Sequence, residues 1–235
     1  MKILLSFLFM IVSLVANEFY AVIQPIKTYN VKSSVSGAVV FANSKREQQI
    51  INNKFIVRID DKINKIELAQ ARFKLRNLEE ILKLQKETLE SYNKVASKSK
   101  VEKYAQKITL LNTLNSISDL KVKIKILEDQ IVKKNISANG VFLSEVLVEK
   151  GDYVNPGTAL YTAYDLSSGK LEIYIPIDKA KEYKNKTIYI DGKKTDLKIN
   201  KLSRVADSKH ISSYKCEIIL KDVKEFSKLV KIEFK

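Results

Sequence analysis

From Lys62 onward the apolar residues keep a seven-residue step. Leu68, Leu75, Leu82 and Leu89 recur at that interval, and Ala71, Leu78, Gln85 and Tyr92 follow each of them by three. Residues three and four apart share one face of a helix, so the pattern predicts an a/d seam over about four heptads. The positions between are mostly Lys, Glu, Arg, Gln and Asn, as a solvated face requires. The pattern softens over residues 95–100. There Ser97 or Ser99 is placed to cap a new helix, with Glu102 three residues after Ser99 as a capping-box partner. A second seam runs through Leu110, Ile117, Ile124 and Ile131, with Leu120 and Leu127 between them. Its early part also carries Tyr104, Ile108 and Leu111, which predicts one shift of register. The two seams predict an antiparallel coiled-coil hairpin over 62–133 with its tip at about 92–101. Each arm of about 32 residues would run about 48 Å. A single continuous helix that dimerises is the alternative, and the cap signal favours the hairpin.

On both sides of the hairpin the period changes to two. Val39-Val40, Ile50-Ile51 and residues 55–59 suit short strands before it. After it come Val146-Leu147-Val148, then Gly151-Asp152, then Asn155-Pro156-Gly157, with the glycines where tight turns belong. A third region follows Gly169. Residues 171–175 read as a strand, and residues 178–183 read as a short helix after Pro176. Residues 188–190 and 197–199 flank Asp191-Gly192 as a hairpin with a type I′ turn, and residues 215–220 and 229–234 add two strands. Five or six short strands here predict a small β-barrel over 167–235. The scarcity of glycine and proline, six and three residues, fits long uninterrupted helix rather than a large all-β protein.

The formal charge of +15 raises nucleic acid or an anionic membrane as a partner. The lysines are dispersed among acidic residues, however, and no run of arginines and aromatics forms a nucleic-acid platform, so no nucleic-acid partner is expected. Residues 1–16 read as an export signal: Lys2, then an apolar stretch from Ile3 to Val15, then Ala16 for cleavage. The run is short of the roughly 20 residues that span a bilayer, so a cleaved signal is favoured over a retained anchor. The chain is therefore expected to be exported. Cys216, the single cysteine, lies in an alternating stretch and reads as a small core residue. His210, the single histidine, lies in a loop with no recognisable nucleophile or orienting partner. No Cys/His cluster and no Gly-rich phosphate loop are present in the sequence. The chain is therefore expected to be non-enzymatic, with no catalytic residue, cofactor or metal ligand.

The strand-rich flanks look like two copies of one pattern. The second carries Gly140-Val141-Phe142, then Gly151-Asp152-Tyr153-Val154, then Gly157-Thr158-Ala159-Leu160, which resembles half of a lipoyl/biotinyl-type domain. The first keeps Gly37 and the closing strand 55–59, with Glu47 and Asn53 where turn glycines are expected. A lipoyl-like domain split by a hairpin and followed by a β-barrel resembles the membrane fusion protein family. These are the HlyD-like periplasmic adaptors of tripartite efflux pumps, including the adaptor subunits of RND pumps, and of type I secretion systems.

The resemblance implies an elongated α+β fold: a split lipoyl-like β-sandwich (30–61 and 134–166), the hairpin, and the barrel, with 17–29 as an N-terminal strand or linker. It implies an adaptor between an inner-membrane transporter of RND or ABC type and an outer-membrane channel of TolC type, assembled as a homo-oligomeric ring and serving export of small molecules. A type I secretion or ABC-type exporter adaptor is the alternative, and a stand-alone periplasmic coiled-coil protein a further one. The hairpin tip would dock the channel through Tyr92, Lys94, Val95, Ser97 and Ser99. Lys94 stands where many relatives have an arginine and lacks its planar fork. A swinging-arm carrier would need a lysine on a tight hairpin, and Lys62 instead opens the long heptad segment.

Overall fold

A computed structural model describes residues 18–95 and 97–235. The export signal expected over 1–16 lies outside them. In chain order the elements are β1 (Glu18–Val22), β2 (Gln24–Lys32), β3 (Gly37–Ala42), β4 (Gln49–Ile51), β5 (Lys54–Ile59), α1 (Lys62–Lys94) and α2 (Lys100–Lys134). Then come β6 (Asn135–Ala138), β7 (Val141–Val146), β8 (Tyr153–Val154), β9 (Ala159–Pro176), α3 (Ala180–Tyr183), β10 (Ile188–Ile190), β11 (Lys193–Lys194), β12 (Ile199–Leu202), β13 (Ser213–Leu220) and β14 (Leu229–Phe234). The fold is α+β, with two long helices forming an antiparallel hairpin and several small sheets. The chain divides into two compact units: Asn30–Ala163, and residues 18–29 with Tyr164–Lys235.

In the first unit the strands on either side of the hairpin interlock. The sheet order is β6-β5-β3-β8, and β4 pairs antiparallel with β7. Gly37 faces Val154 and Ala38 faces Tyr153, so residues before and after the helices share a ladder. Val39, Ile51, Ile56, Val57, Leu143 and Leu160 are almost fully buried and form the core of this base. Asn53 takes a left-handed backbone (φ 50°), which asparagine tolerates. In the separate turn that enters β4 the left-handed residue is Gln48 (φ 60°), not Glu47, whose φ is −58°. The turn falls one residue later than expected because Glu47 is used otherwise: its carboxylate accepts the Val146 N–H at 2.8 Å. Gln48 donates its own N–H to the Leu143 carbonyl at 2.7 Å.

The second unit shows the two-residue period plainly. On β9, Leu171, Ile173 and Ile175 are buried, and on β13 Cys216 and Ile218 are buried opposite them. The alternate face carries Glu172, which binds Lys170 at 2.6 Å and Lys215 at 2.9 Å. The second sheet runs β1-β14-β10-β11. Phe19, Tyr183 and Phe234 pack edge to face between centroids 4.9–5.8 Å apart, seating α3 in the core. Asp191 and Gly192 both have positive φ, as a type I′ turn needs, but the strand paired with β10 is Lys193–Lys194. Residues 197–199, expected in that place, do not fill it; Ile199 instead opens β12, which pairs with β13 across a bulge. Gly169 is no boundary either. β9 runs through it, and a Cβ at this position would stand 2.7 Å from Val223 Cγ2 and 2.9 Å from Ile23 Cγ2. Close packing, not a turn, accounts for this glycine.

Candidate functional site

The hairpin is held at its base by a polar clasp. Lys134 Nζ donates to the Asp60 carbonyl (2.8 Å) and to Asn64 Oδ1 (2.7 Å), and Asn64 donates in turn to Gln130 Oε1 (2.8 Å). Asp61, beside the start of α1, accepts from Asn135 at 2.8 Å and pairs with Lys65 at 2.9 Å. Burial pushes its carboxyl up, but these hydrogen bonds and the Lys65 charge outweigh it and hold the group below its ordinary range. The end of α2 is thereby fixed to the start of α1.

Above the clasp the inward positions alternate by three and four residues on both helices. Leu68, Ala71, Ile124 and Leu127 form a buried cluster, with Leu75, Leu120 and Ile131 packed against it. Further out, Leu78, Leu82, Leu89 and Tyr92 on α1 are half-buried, and Ile117 on α2 is buried. The expected shift of register in α2 does not occur. Lys103, Gln106, Leu110 and Thr113 take the inward positions in one unbroken series leading to Ile117. Tyr104, Ile108 and Leu111 lie outside it and are 64%, 58% and 47% exposed. Together with Val101 they form a second stripe of three- and four-residue spacing on the outer face of α2. On α1, Ile63, Ile66, Phe73 and Leu84 are exposed in the same manner. The cross-helix pairs Arg72–Glu128 (2.8 Å), Glu79–Lys121 (3.8 Å) and Asn64–Gln130 fix relative heights. On α2, Val122, Ile126 and Val132 are exposed as well.

At the tip, α1 ends at Lys94 and Ser99 caps α2. Ser99 Oγ accepts the Glu102 N–H (3.2 Å), and Glu102 Oε2 accepts the Ser99 N–H (2.9 Å), a complete capping box. Lys98 Nζ donates to Glu102 Oε1 at 2.9 Å and lies 4.6 Å from the centre of the Tyr92 ring. The Lys98 ammonium, with the Ser99 backbone and side chain, draws the Glu102 carboxyl down to about 2. Of the five residues expected at the tip, the structure brings Tyr92 and Ser99 to this knot, while Lys94, Val95 and Ser97 are exposed beside it. Lys98 was not singled out from the sequence; its four-residue spacing from Glu102 was the available signal.

Of the glycines expected at turns, Gly140, Gly151 and Gly157 lie at bends of the base, and Gly37 instead opens strand β3. Gly140, Gly151 and Gly157 have φ of 66°, 107° and 94°. Asp152 Oδ2 accepts the Glu149 N–H at 2.8 Å and closes the turn around Gly151. Gly37 sits on β3 with its Cα hydrogen toward Ile59. Elsewhere, His210 stacks on Tyr174 and its Nδ1 lies 3.1 Å from Asp207 Oδ1, which makes it part of a loop clasp. Among the described residues no group of three or more His, Cys, Asp and Glu is placed to hold a metal ion, and no helix is long and apolar enough to cross a membrane.

A long helical hairpin inserted between interlocked strands, with a strand-rich second unit, is a fold this chain shares with solved membrane fusion protein structures. The solved structures that share it include MacA from Actinobacillus actinomycetemcomitans, with a TM-score of 0.72 and 16% identity over 94% of this chain and 79% of that one. A MacA–MexA chimera carrying the Pseudomonas aeruginosa MexA α-hairpin domain gives 0.69 and 18% over 94% and 82%. The membrane fusion protein Spr0693 from Streptococcus pneumoniae R6 gives 0.67 and 12% over 93% and 98%. Neither a family model nor a curated protein matches the sequence.

Proposed function

We propose that the chain is a periplasmic adaptor subunit of a tripartite efflux pump, non-enzymatic, joining an inner-membrane transporter of RND or ABC type to an outer-membrane channel of TolC type for export of small molecules. The observation that carries this reading is the hairpin. Two helices of 33 and 35 residues, about 50 Å long at 1.5 Å per residue, are anchored by a clasp at one end and carry a capped, ion-paired turn at the other. Such an element transmits position over distance and offers no chemistry. The interlocked strands at its base are the two halves of a lipoyl-like domain in this reading, and the second unit corresponds to the adaptor barrel. Residues 1–16 direct export and are removed.

The outer stripes support assembly into a ring of copies. Apolar residues are exposed along both α1 and α2, so the α1 face of one hairpin has an apolar α2 face of the next to meet. A head-to-tail contact of this type closes into a ring when its rotation permits. The tip docks the channel through Tyr92, Lys94, Val95, Ser97 and Ser99. The test is in-cell crosslinking from a photo-reactive residue in place of Ser97. Capture of an outer-membrane channel protein is the expected result. Capture of nothing but the chain itself, at a well-exported level, would replace the adaptor by a stand-alone periplasmic coiled-coil protein.

A further inference from the structure

In the second unit a cavity of about 400 Å³ opens between α3, the outer edge of β12 and the residues that follow it. Lys181 and Lys184 reach it from the α3 turn, and Arg204 reaches it from the far end of β12. Its apolar lining is Ile199, Leu202 and Tyr214, and no carboxylate lines it. Several other lysines of the unit are paired with carboxylates, while Lys193, Lys194, Lys198 and Lys221 are, like those of the cleft, without an ion pair among the described residues. Lys170 and Lys215 share Glu172, Lys186 is tied to Glu182 at 2.6 Å, Lys201 faces Glu217, and Lys231 lies 2.6 Å from Glu18. Lys181, Lys184 and Arg204 have no ion pair and no side-chain hydrogen bond among the described residues. Lys184 and Ile199 also border an adjoining cavity of about 560 Å³, which adds Lys194 and Lys198 against the single carboxylate of Asp196.

We propose that this cleft binds a phosphate-bearing ligand with an apolar part. A cleft lined by cations of one sign on a low-dielectric floor concentrates anions. A guanidinium presents paired donors that match phosphate oxygens, and two ammonium groups three residues apart supply point charges beside it. Ile199, Leu202 and Tyr214 give the apolar part a surface to cover. The site takes no part in the adaptor role proposed above and stands or falls separately from it. The same chemistry is offered by a phospholipid headgroup and by a soluble phosphate ester.

The test uses the purified full-length protein. Calorimetric titrations with octyl phosphate, inorganic phosphate, octanol and a glutamate-rich peptide are compared with the variant Lys181→Gln/Lys184→Gln/Arg204→Gln. Octyl phosphate is expected to bind more tightly than inorganic phosphate, and octanol not at all. The triple variant is expected to weaken octyl phosphate binding on the order of a hundredfold. Flotation with vesicles of phosphatidylcholine, alone or equimolar with phosphatidylglycerol, separates the sources. A preference for the mixed vesicles that the variant loses assigns a headgroup, and octyl phosphate binding without that preference assigns a soluble ester. Should the triple variant unfold, Lys184→Glu alone gives the same reading. Wild-type affinity in a folded variant, no binding of either phosphate by the wild type, or binding of the peptide in their place would each overturn the proposal.

Discussion

Leu127→Ala and Ile126→Ala change neighbouring residues on α2 and are expected to differ sharply. Leu127 is 4% exposed and packs in the cluster with Leu68, Ala71 and Ile124, whereas Ile126 is 53% exposed on the outer face. Truncating a buried leucine costs about 2–5 kcal/mol, the sum of lost transfer energy and the cavity left behind. The seam is one stripe wide with solvent on both flanks, so its neighbours can close part of the gap, and about 2–3 kcal/mol is expected. Truncating Ile126 falls within about 0.5 kcal/mol, as surface changes do. The loss is local to the hairpin, so native-state hydrogen exchange is the assay. Amides around Leu68–Leu75 and Ile124–Ile131 should exchange on the order of a hundredfold faster in Leu127→Ala, with the strands of the second unit unchanged. Equal acceleration by the two variants at low protein concentration would refute the assigned seam and, with it, the assignment of Ile126 to an outer face.

Ser99→Ala removes the cap of α2 and is expected to destabilise the tip by about 1 kcal/mol, read as faster exchange at residues 100–104. Acid acts at the same place. Because the Glu102 carboxyl is lowered from 4.5 to about 2, its contribution is fully present above 4.5 and is lost as pH falls toward 2, so tip exchange should rise over that window and less so in Lys98→Ala. Gly37→Ala puts a Cβ 2.6 Å from Ile59 Cγ2, at a φ of 154°, and should lower the thermal stability of the base by more than the roughly 1 kcal/mol of a simple glycine replacement. Burial pushes the Cys216 thiol up to about 12, so it should resist a maleimide at neutral pH until the second unit is unfolded by denaturant. Gln85 lies in the seam with its Oε1 buried and without a hydrogen-bond partner among the described residues, and Gln85→Leu should raise hairpin stability by about 1 kcal/mol, seen as slower exchange around it.

The helices were legible because their signal is redundant: seven-residue leucine spacing, no glycine between Gly37 and Gly140, and a capping box at Ser99. The register of the first half of α2 was not, and the reason is physical. Lys103 and Gln106 are half-buried at inward positions, which long side chains tolerate because their aliphatic stems can be covered while the polar head stays in water, whereas Tyr104, Ile108 and Leu111 are exposed. A reading that follows hydrophobicity takes the wrong stripe there. Strand ends were hidden for a similar reason. Gly169 looks like a boundary but is required by the approach of Val223 and Ile23, and Lys193–Lys194 has no apolar signature although it completes the hairpin with β10. At the tip the capping pair could be read from spacing alone, whereas the Lys98 bridge to Tyr92 depends on the turn folding back.

The distribution of apolar residues along the hairpin bears on how it is used. Near the base the seam holds Leu68, Ala71, Ile124 and Leu127, and the polar clasp lies below them. Toward the tip the inward positions include Gln85, Lys103, Gln106 and the buried Thr113, a weaker set for joining two helices. Over the same length Val101, Tyr104, Ile108 and Leu111 are turned outward and exposed. Exchanging the two sets would strengthen an isolated hairpin, since burial of one leucine or isoleucine is worth about 1.5–3 kcal/mol. The chain therefore carries apolar surface that the hairpin itself does not consume. Contiguous exposed apolar surface of this type is a mark of contact with another molecule. The part of that surface formed by Val101, Tyr104, Ile108 and Leu111 lies in the half of the hairpin whose own two helices are least firmly joined.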